Sequence, residues 1–225
     1  MEGTRLRILQ ILQKSEDDTV ERLATAIGLA PATIRRHLDI LQRDRLVAFR
    51  EVRKKTGRPE YSFYLTEEGH EELPKAYDLL LRLVIRELAG LTVGDTTGRD
   101  GDQILEMLFR RLSSQVWSRH EAQLAGKDAK QRLAGLLEVL RSEDFSPEVE
   151  IVGETLTIRL VNCPFRSVAL ENKAVCSFDE SLISTMLGVD LTQEECIREG
   201  ATCCTYVTHV GPKDAELLSA SVGIS

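Results

Sequence analysis

The sequence predicts an α+β chain of more than one folding unit, and three observations carry that prediction. Near the N-terminus two short helical periodicities are joined by a glycine turn and followed by two strand-like runs around a basic loop. Apolar residues at helical spacing then dominate to about residue 145. From residue 146 the pattern changes to alternation, and all five cysteines, Cys163, Cys176, Cys196, Cys203 and Cys204, fall in that tail. With 225 residues, 42% of them hydrophobic, the chain can bury a substantial core and has the length of about two domains.

Residues 3–14 read as an amphipathic helix whose Leu6, Ile8, Leu9, Ile11 and Leu12 form a broad apolar face. Thr19 is placed to cap a second helix in which Val20, Leu23, Ala24 and Ile27 share a face, and Gly28 supplies the turn after it. Pro31 opens a third, with Ile34, Leu38 and Leu41 turned inward. Thr33, Arg35, Arg36, Gln42 and Arg43 lie off that stripe, and the pair is a helix-turn-helix. Strands are expected over residues 46–53 and 60–66, the second placing Tyr61, Phe63 and Leu65 on one face. Lys54-Lys55-Thr56-Gly57-Arg58-Pro59 between them is a basic wing.

The net charge of −7 is unevenly spread: residues 1–66 hold 13 Lys/Arg against 9 Asp/Glu, a surplus of +4 that leaves −11 for the rest. Pro31 to Arg58 alone contains 9 basic and 3 acidic residues. An acidic body with a basic tip favours one mode of approach to a phosphate backbone and discourages wrapping. No apolar run reaches the ~20 residues that cross a bilayer, and the start has no signal-peptide core, so a soluble cytoplasmic protein is expected.

The Pro-Ala-Thr-Ile-Arg-Arg-His-Leu helix, the Gly-Arg-Pro of the wing tip and the closing Tyr64-Leu65-Thr66-Glu67-Glu68-Gly69 resemble bacterial winged-helix transcription regulators of the ArsR/DeoR-like subgroup. The resemblance implies binding of double-stranded DNA, with the second helix of the pair in the major groove and the wing over phosphates or in the minor groove. The residues it assigns are Thr33, Arg35, Arg36, His37 and Arg43 on the helix and Arg53, Lys54, Lys55 and Arg58 in the wing, some reading bases and others phosphates only. The DNA-binding domain is expected over residues 1–68.

A linker or dimerisation helix is expected over residues 69–93. Thr66 caps its start, Pro74 interrupts it, and Leu79, Leu80, Leu83, Val84 and Leu88 make a wide apolar stripe. That stripe pairs either with its twin across a two-fold axis, giving a homodimer on a palindromic operator, or with the chain's own second half. Gly94-Asp95-Thr96-Thr97-Gly98-Arg99-Asp100-Gly101 reads as a linker. Within a helical segment over residues 94–145, Ile104, Leu105, Leu108, Leu112, Val116 and Trp117 mark one helix and Leu133, Leu136, Leu137 and Leu140 another. His120, near the end of the first, is read as solvated or helix-capping rather than metal-binding. Val149, Ile151 and Val152, then Leu156, Ile158 and Leu160, predict a hairpin around Gly153-Glu154 that opens a cysteine-rich sensor domain over residues 146–225.

In a reducing compartment structural disulfides are not expected, which leaves buried apolar thiols, a reactive pair or a metal site. Cys163 precedes Pro164 at a strand end, Cys176 stands before a helix expected at 180–187 whose dipole favours a thiolate, and Cys196 and Cys204 flank the Arg198-Glu199-Gly200 turn. Cys203 should face away from Cys204 if both lie on one strand; a strained vicinal disulfide is the alternative. The spacings contain no close Cys-x2–4-Cys pair of the kind structural zinc uses. They contain no Cys-x-x-Cys and no His near a candidate nucleophile, so a thiol oxidoreductase, or any enzyme, is not the expected class.

Asn162-Cys163-Pro164-Phe165, Cys176, Cys196 and the Gly200 to Tyr206 segment resemble the C-terminal half of regulators related to the Suf-type repressor of iron–sulfur biogenesis. That resemblance implies a [4Fe–4S] cluster held by cysteines of this domain, setting DNA affinity and reporting iron or oxidative status. Cys163, Cys176 and Cys204 match its ligand positions. Family members carry a further cysteine near what is here Val189-Asp190; this chain has none there, and Cys196 is the substitute, with Asp190, an exogenous thiol or an open iron site as alternatives. Zinc at the same cysteines and a small-ligand pocket with core cysteines are the competing readings.

Overall fold

The computed structural model describes residues 3–52 and 60–219 and divides the chain into two units, residues 1–75 and 76–225. The first unit runs α1 (Gly3–Ser15), β1 (Asp18–Thr19), α2 (Val20–Ile27), α3 (Pro31–Arg43), β2 (Val47–Val52), β3 (Glu60–Leu65) and α4 (Glu67–Glu71). Its core is the set of helix stripes read from the sequence: Ile8, Leu9, Leu12, Leu23, Ile34, Leu38 and Leu41 are buried together with Phe63 and Leu65. Each such side chain contributes about 1.5–3 kcal/mol on burial.

The Thr19 hydroxyl accepts the Arg22 N–H at 3.3 Å and caps α2. Gly28 ends that helix in the left-handed region at φ 78°, its N–H returning to the Ala24 carbonyl. The three strands lie in the order β1-β3-β2, antiparallel, with Phe49 opposite Phe63 and Val52 opposite Glu60. Asp17 clamps the sheet from outside, accepting the Ser62 hydroxyl at 2.8 Å and pairing with Arg50. Of Tyr61, Phe63 and Leu65, read as one face of β3, Phe63 and Leu65 are buried while Tyr61 stands 50% exposed, ring edge against Phe49.

The second unit comprises α5 (Tyr77–Ala89), α6 (Val93–Thr96), α7 (Gly101–Leu124), α8 (Ala129–Ser142), β4 (Pro147–Val152), β5 (Thr155–Leu160), α9 (Arg166–Glu171), α10 (Ser177–Leu187), β6 (Thr192–Glu195), β7 (Cys204–His209) and α11 (Pro212–Ser219). Its antiparallel sheet has the order β4-β5-β7-β6. The hairpin turns at Gly153 with Val152 opposite Thr155, and β5 buries Leu156, Ile158 and Leu160 in strict alternation. These residues share one core with Phe109, Leu112 and Val116 of α7, Leu136 and Leu140 of α8 and Phe178, Leu182 and Met186 of α10.

The sequence boundaries at residues 93 and 145 cut through a single core, because α5, α7, α8, α9 and α10 all bury residues in the cluster that also holds β5 and β7. Of the α5 stripe, Leu80 is buried and Leu79, Leu83 and Val84 pack on this core, so the stripe is used within the chain. Leu88, the last residue of that stripe, remains 47% exposed, together with Leu81 and Ile85 at 60% and 56%. The segment read as a linker contains α6 and two capping boxes, Thr92 with Asp95 and Asp100 with Gln103. Among the described residues no helix is long and apolar enough to cross a membrane.

Candidate nucleic-acid interface and cysteine site

The helix α3 presents Thr33, Arg35, Arg36 and Arg43 to solvent, while Ile34, Leu38 and Leu41 anchor it from behind. The Arg35 guanidinium donates to Glu21 of α2 at 2.9 Å, and Arg43 lies 3.7 Å from Asp44. Arg36 has no ion-pair partner among the described residues. His37 is half-buried, with Nδ1 enclosed and without a hydrogen-bond partner among the described residues, so only its other edge can face a ligand. Between α3 and the β2–β3 hairpin runs a groove of about 710 Å³ whose walls include Arg35, Gln42, Phe49 and Tyr61. The two aromatics, each about half exposed, add an apolar wall beside α3. Arg53, Lys54, Lys55 and Arg58 of the wing tip lie outside the described residues.

The cysteines come from four separate segments. Cys163 is half-buried on the loop leaving β5, Cys176 closes a 3-10 turn (Lys173–Cys176) immediately before α10, Cys196 precedes a second such turn (Ile197–Glu199), and Cys204 opens β7. None is in a disulfide, and Cys176, Cys196 and Cys204 are buried. The fold brings them into one neighbourhood: Cys176 feels the charges of Cys196 and Cys163, and Cys204 those of Cys196 and Cys176. The Ile197 N–H donates to the Cys204 sulfur, and the Arg198 cation acts on Cys176.

Burial, reinforced by Asp179 and neighbouring thiols, pushes the Cys176 and Cys204 thiols well above the ordinary thiol range. The expected dipole-stabilised thiolate at Cys176 is thus corrected: α10 starts at Ser177, directly after it, but desolvation outweighs the helix end and the Arg198 charge. Cys203 faces elsewhere, its sulfur 3.7 Å from the Thr205 hydroxyl and beside Arg159. Asp190 is exposed beyond α10, with its carbonyl accepting the Thr208 hydroxyl at 2.7 Å, and is not part of the buried group.

Asp179 was not singled out by sequence pattern and belongs to the site. It is buried in the first turn of α10, where it accepts the Tyr206 hydroxyl at 2.8 Å, and burial raises its carboxyl to about 7. Desolvation and the Asp179 charge also hold the Tyr206 phenol well above its ordinary value. An acid three residues after a cysteine was a visible signal, since that spacing puts both on one helical face. Among the described residues no three His, Cys, Asp or Glu side chains converge closely enough to hold a single metal ion.

Residues 2–48 match the family described as "Bacterial regulatory protein, arsR family". Among solved structures the chain is similar to "Crystal structure of Bacillus subtilis PadR in complex with operator DNA", at 16% identity, with 64% of this chain and 92% of that chain covered and a TM-score of 0.30, too distant to place any residue. No curated protein matches the chain. The arsR match spans α1, the helix pair and the start of β2, and the first unit is a helix-turn-helix of the DNA-binding regulator type.

Proposed function

We propose that the protein is a transcriptional repressor, acting as a homodimer on double-stranded operator DNA, whose affinity is set by a [4Fe–4S] cluster at Cys163, Cys176 and Cys204, with Cys196 the sequence's candidate for the fourth iron. The observation that carries the reading is the gathering of cysteines from four segments into one buried neighbourhood. Thiolates are the donor type such a cluster takes. Four thiolates on one zinc would sit about 2.3 Å from the ion, hence about 3.8 Å apart. Among the described residues no three such donors are gathered for one ion, and a cluster, in which each donor meets its own iron, asks for a wider spacing than zinc. Thiols left in this place without a cation are driven neutral, so the cationic iron of a cluster, when bound, supplies the charge that lets them ionise.

The chain's own residues supply the rest. The Ile197 N–H holds the Cys204 sulfur, and Arg198 lends positive charge. The helix that Cys176 precedes, α10, packs on α7, and α7 on α5, whose exposed Leu81, Ile85 and Leu88 suit a two-fold partner. A shift at Cys176 is thereby led toward the α5 face proposed for the dimer contact. A change of only about 1.4 kcal/mol there alters affinity tenfold.

Anaerobic purification with a visible absorption spectrum and iron, sulfide and zinc analysis tests the reading. A brown protein with iron and acid-labile sulfide is expected, and Cys163→Ser should lose both the colour and the cluster-dependent change in operator binding. A colourless protein free of iron and sulfide after anaerobic handling refutes cluster sensing, and zinc in their place identifies a structural metal site.

A further inference from the structure

Resting on the cluster reading above, we infer that residues 164–167, directly after Cys163, form a latch on the start of α5, and that Tyr77 is the positioning residue through which the cysteine site acts on the DNA-binding unit. The Pro164 carbonyl accepts the Ala76 N–H at 3.1 Å. The Tyr77 hydroxyl accepts both the backbone N–H and the side-chain hydroxyl of Ser167, at 3.1 and 2.8 Å. Ala76 is the first residue of the second unit, so these bonds grip the chain at the point where it arrives from the first.

Local chemistry explains why the start of α5 leans on this segment. Its N-cap position is Ala76, which has no side-chain oxygen to offer the first turn, and Pro74 stands two residues earlier. The Ala76 N–H finds its acceptor on the Cys163 segment instead. The support is mutual, since Ser167 lies in the first turn of α9, and Tyr77 meets one of the N–H groups that a helix start leaves unpaired. Phe165, between the two contacts, is 3% exposed and sets its ring edge against Phe178, 5.8 Å away and two residues after Cys176. One short segment thus follows Cys163 in the chain, packs on the helix that follows Cys176, and holds the entry to α5. Ser167 is exposed and Tyr77 half-buried, so water can take over their hydrogen bonds and the latch opens at little cost, as a two-state element must. A displacement of the Cys163 loop carries the Pro164 carbonyl and the Ser167 donors together, and the first turn of α5 with them.

The test compares full-length wild type, Tyr77→Phe, Ser167→Ala, the double variant and Ser167→Thr, each reconstituted anaerobically with iron and sulfide and each stripped, reading operator affinity by fluorescence anisotropy and iron per chain. The ratio of the loaded to the stripped affinity measures the coupling. Tyr77→Phe keeps the ring and removes the hydroxyl; it should carry wild-type iron and sulfide while the ratio moves toward one by at least about fivefold, the lower end of ordinary couplings. Ser167→Ala should lose part of the ratio, and the double variant no more than Tyr77→Phe, because both Ser167 donors meet at one oxygen. Ser167→Thr keeps a hydroxyl and should keep the ratio. Linkage gives a readout that a merely structural role would not move: operator DNA should change the rate at which a ferrous chelator bleaches the wild type and leave that of Tyr77→Phe unchanged. A full ratio in Tyr77→Phe, additive losses in the double variant, or iron lost together with the ratio overturns the inference. A wild type that takes up no iron and sulfide, or binds the operator equally well loaded and stripped, defeats the cluster reading itself and the inference with it.

Discussion

Two helical glycines, Gly69 of α4 and Gly135 of α8, carry very different constraints. A Cβ on Gly69 would lie 2.0 Å from the carbonyl oxygen of Leu46, a backbone atom whose position is tied to the Thr66 N–H and hence to the closing of the hairpin. A Cβ on Gly135 of α8 would meet only the end of the Leu124 side chain, at 2.7 Å, which can rotate away. Gly69→Ala is therefore expected to cost about 2–4 kcal/mol in the first unit, whereas Gly135→Ala should stay within about 1 kcal/mol, the helix-propensity gain offsetting the push on Leu124. Urea unfolding of the two variants checks the contrast. Charge sets a second constraint at this scale. Arg111, with the N–H and hydroxyl of Thr92, holds the Asp95 carboxyl below the ordinary carboxylate range. Because its folded-state pKa lies below its unfolded one, the stabilisation is full above pH about 4 and is lost as the pH falls further. Asp95→Asn should lower the melting temperature at pH 7, and the gap to wild type should close on acidification; a gap that widens would contradict the sign.

The helix α3 shows how an element can be well positioned and yet partly restrained. Arg36 has no ion-pair partner among the described residues, while Arg35 is drawn to Glu21. Arg36→Ala should weaken DNA binding and reduce its salt slope by about 1, as loss of one phosphate contact does, or relax base preference at one position if Arg36 reads a base. Glu21→Gln should release Arg35 and strengthen binding to unrelated DNA, measured by fluorescence anisotropy across a salt series. These elements were readable from the chain because their signals are local: a cap at Thr19, a left-handed glycine at 28, Pro31 at a helix start and strict alternation in β5 each act within a few residues. Asp179 and Tyr206 were not, since their importance arises from strands and helices that meet 27 residues apart in sequence. In β3, too, alternation gave the face shared by Tyr61, Phe63 and Leu65 but not where the core beneath it ends. At α5 the pattern gave an apolar stripe without its partner, and the structure spends most of it on α7 and the core.

At the scale of the whole molecule, the exposed side of α5 joins the sensing question to the assembly question. Leu81, Ile85 and Leu88 recur at i, i+4 and i+7 and form a continuous apolar ridge. A stable two-fold interface needs about 800 Å² from each partner, so this ridge forms its centre only if neighbouring surface closes around it. Ile85 is the middle residue, and in a two-fold contact its mutation alters both copies at once. A carboxylate there would lie against its own image in an apolar surrounding, where like charges and lost hydration act together. Ile85→Glu should therefore be monomeric by sedimentation at micromolar concentration and bind a palindromic operator no more tightly than a single half-site. Its iron and sulfide content should be unchanged, because Ile85 is exposed and outside the shared core. A variant that remains dimeric assigns the two-fold contact to another surface. A monomer that still occupies both half-sites with wild-type affinity shows that the spacing of recognition helices is not how this chain controls its operator.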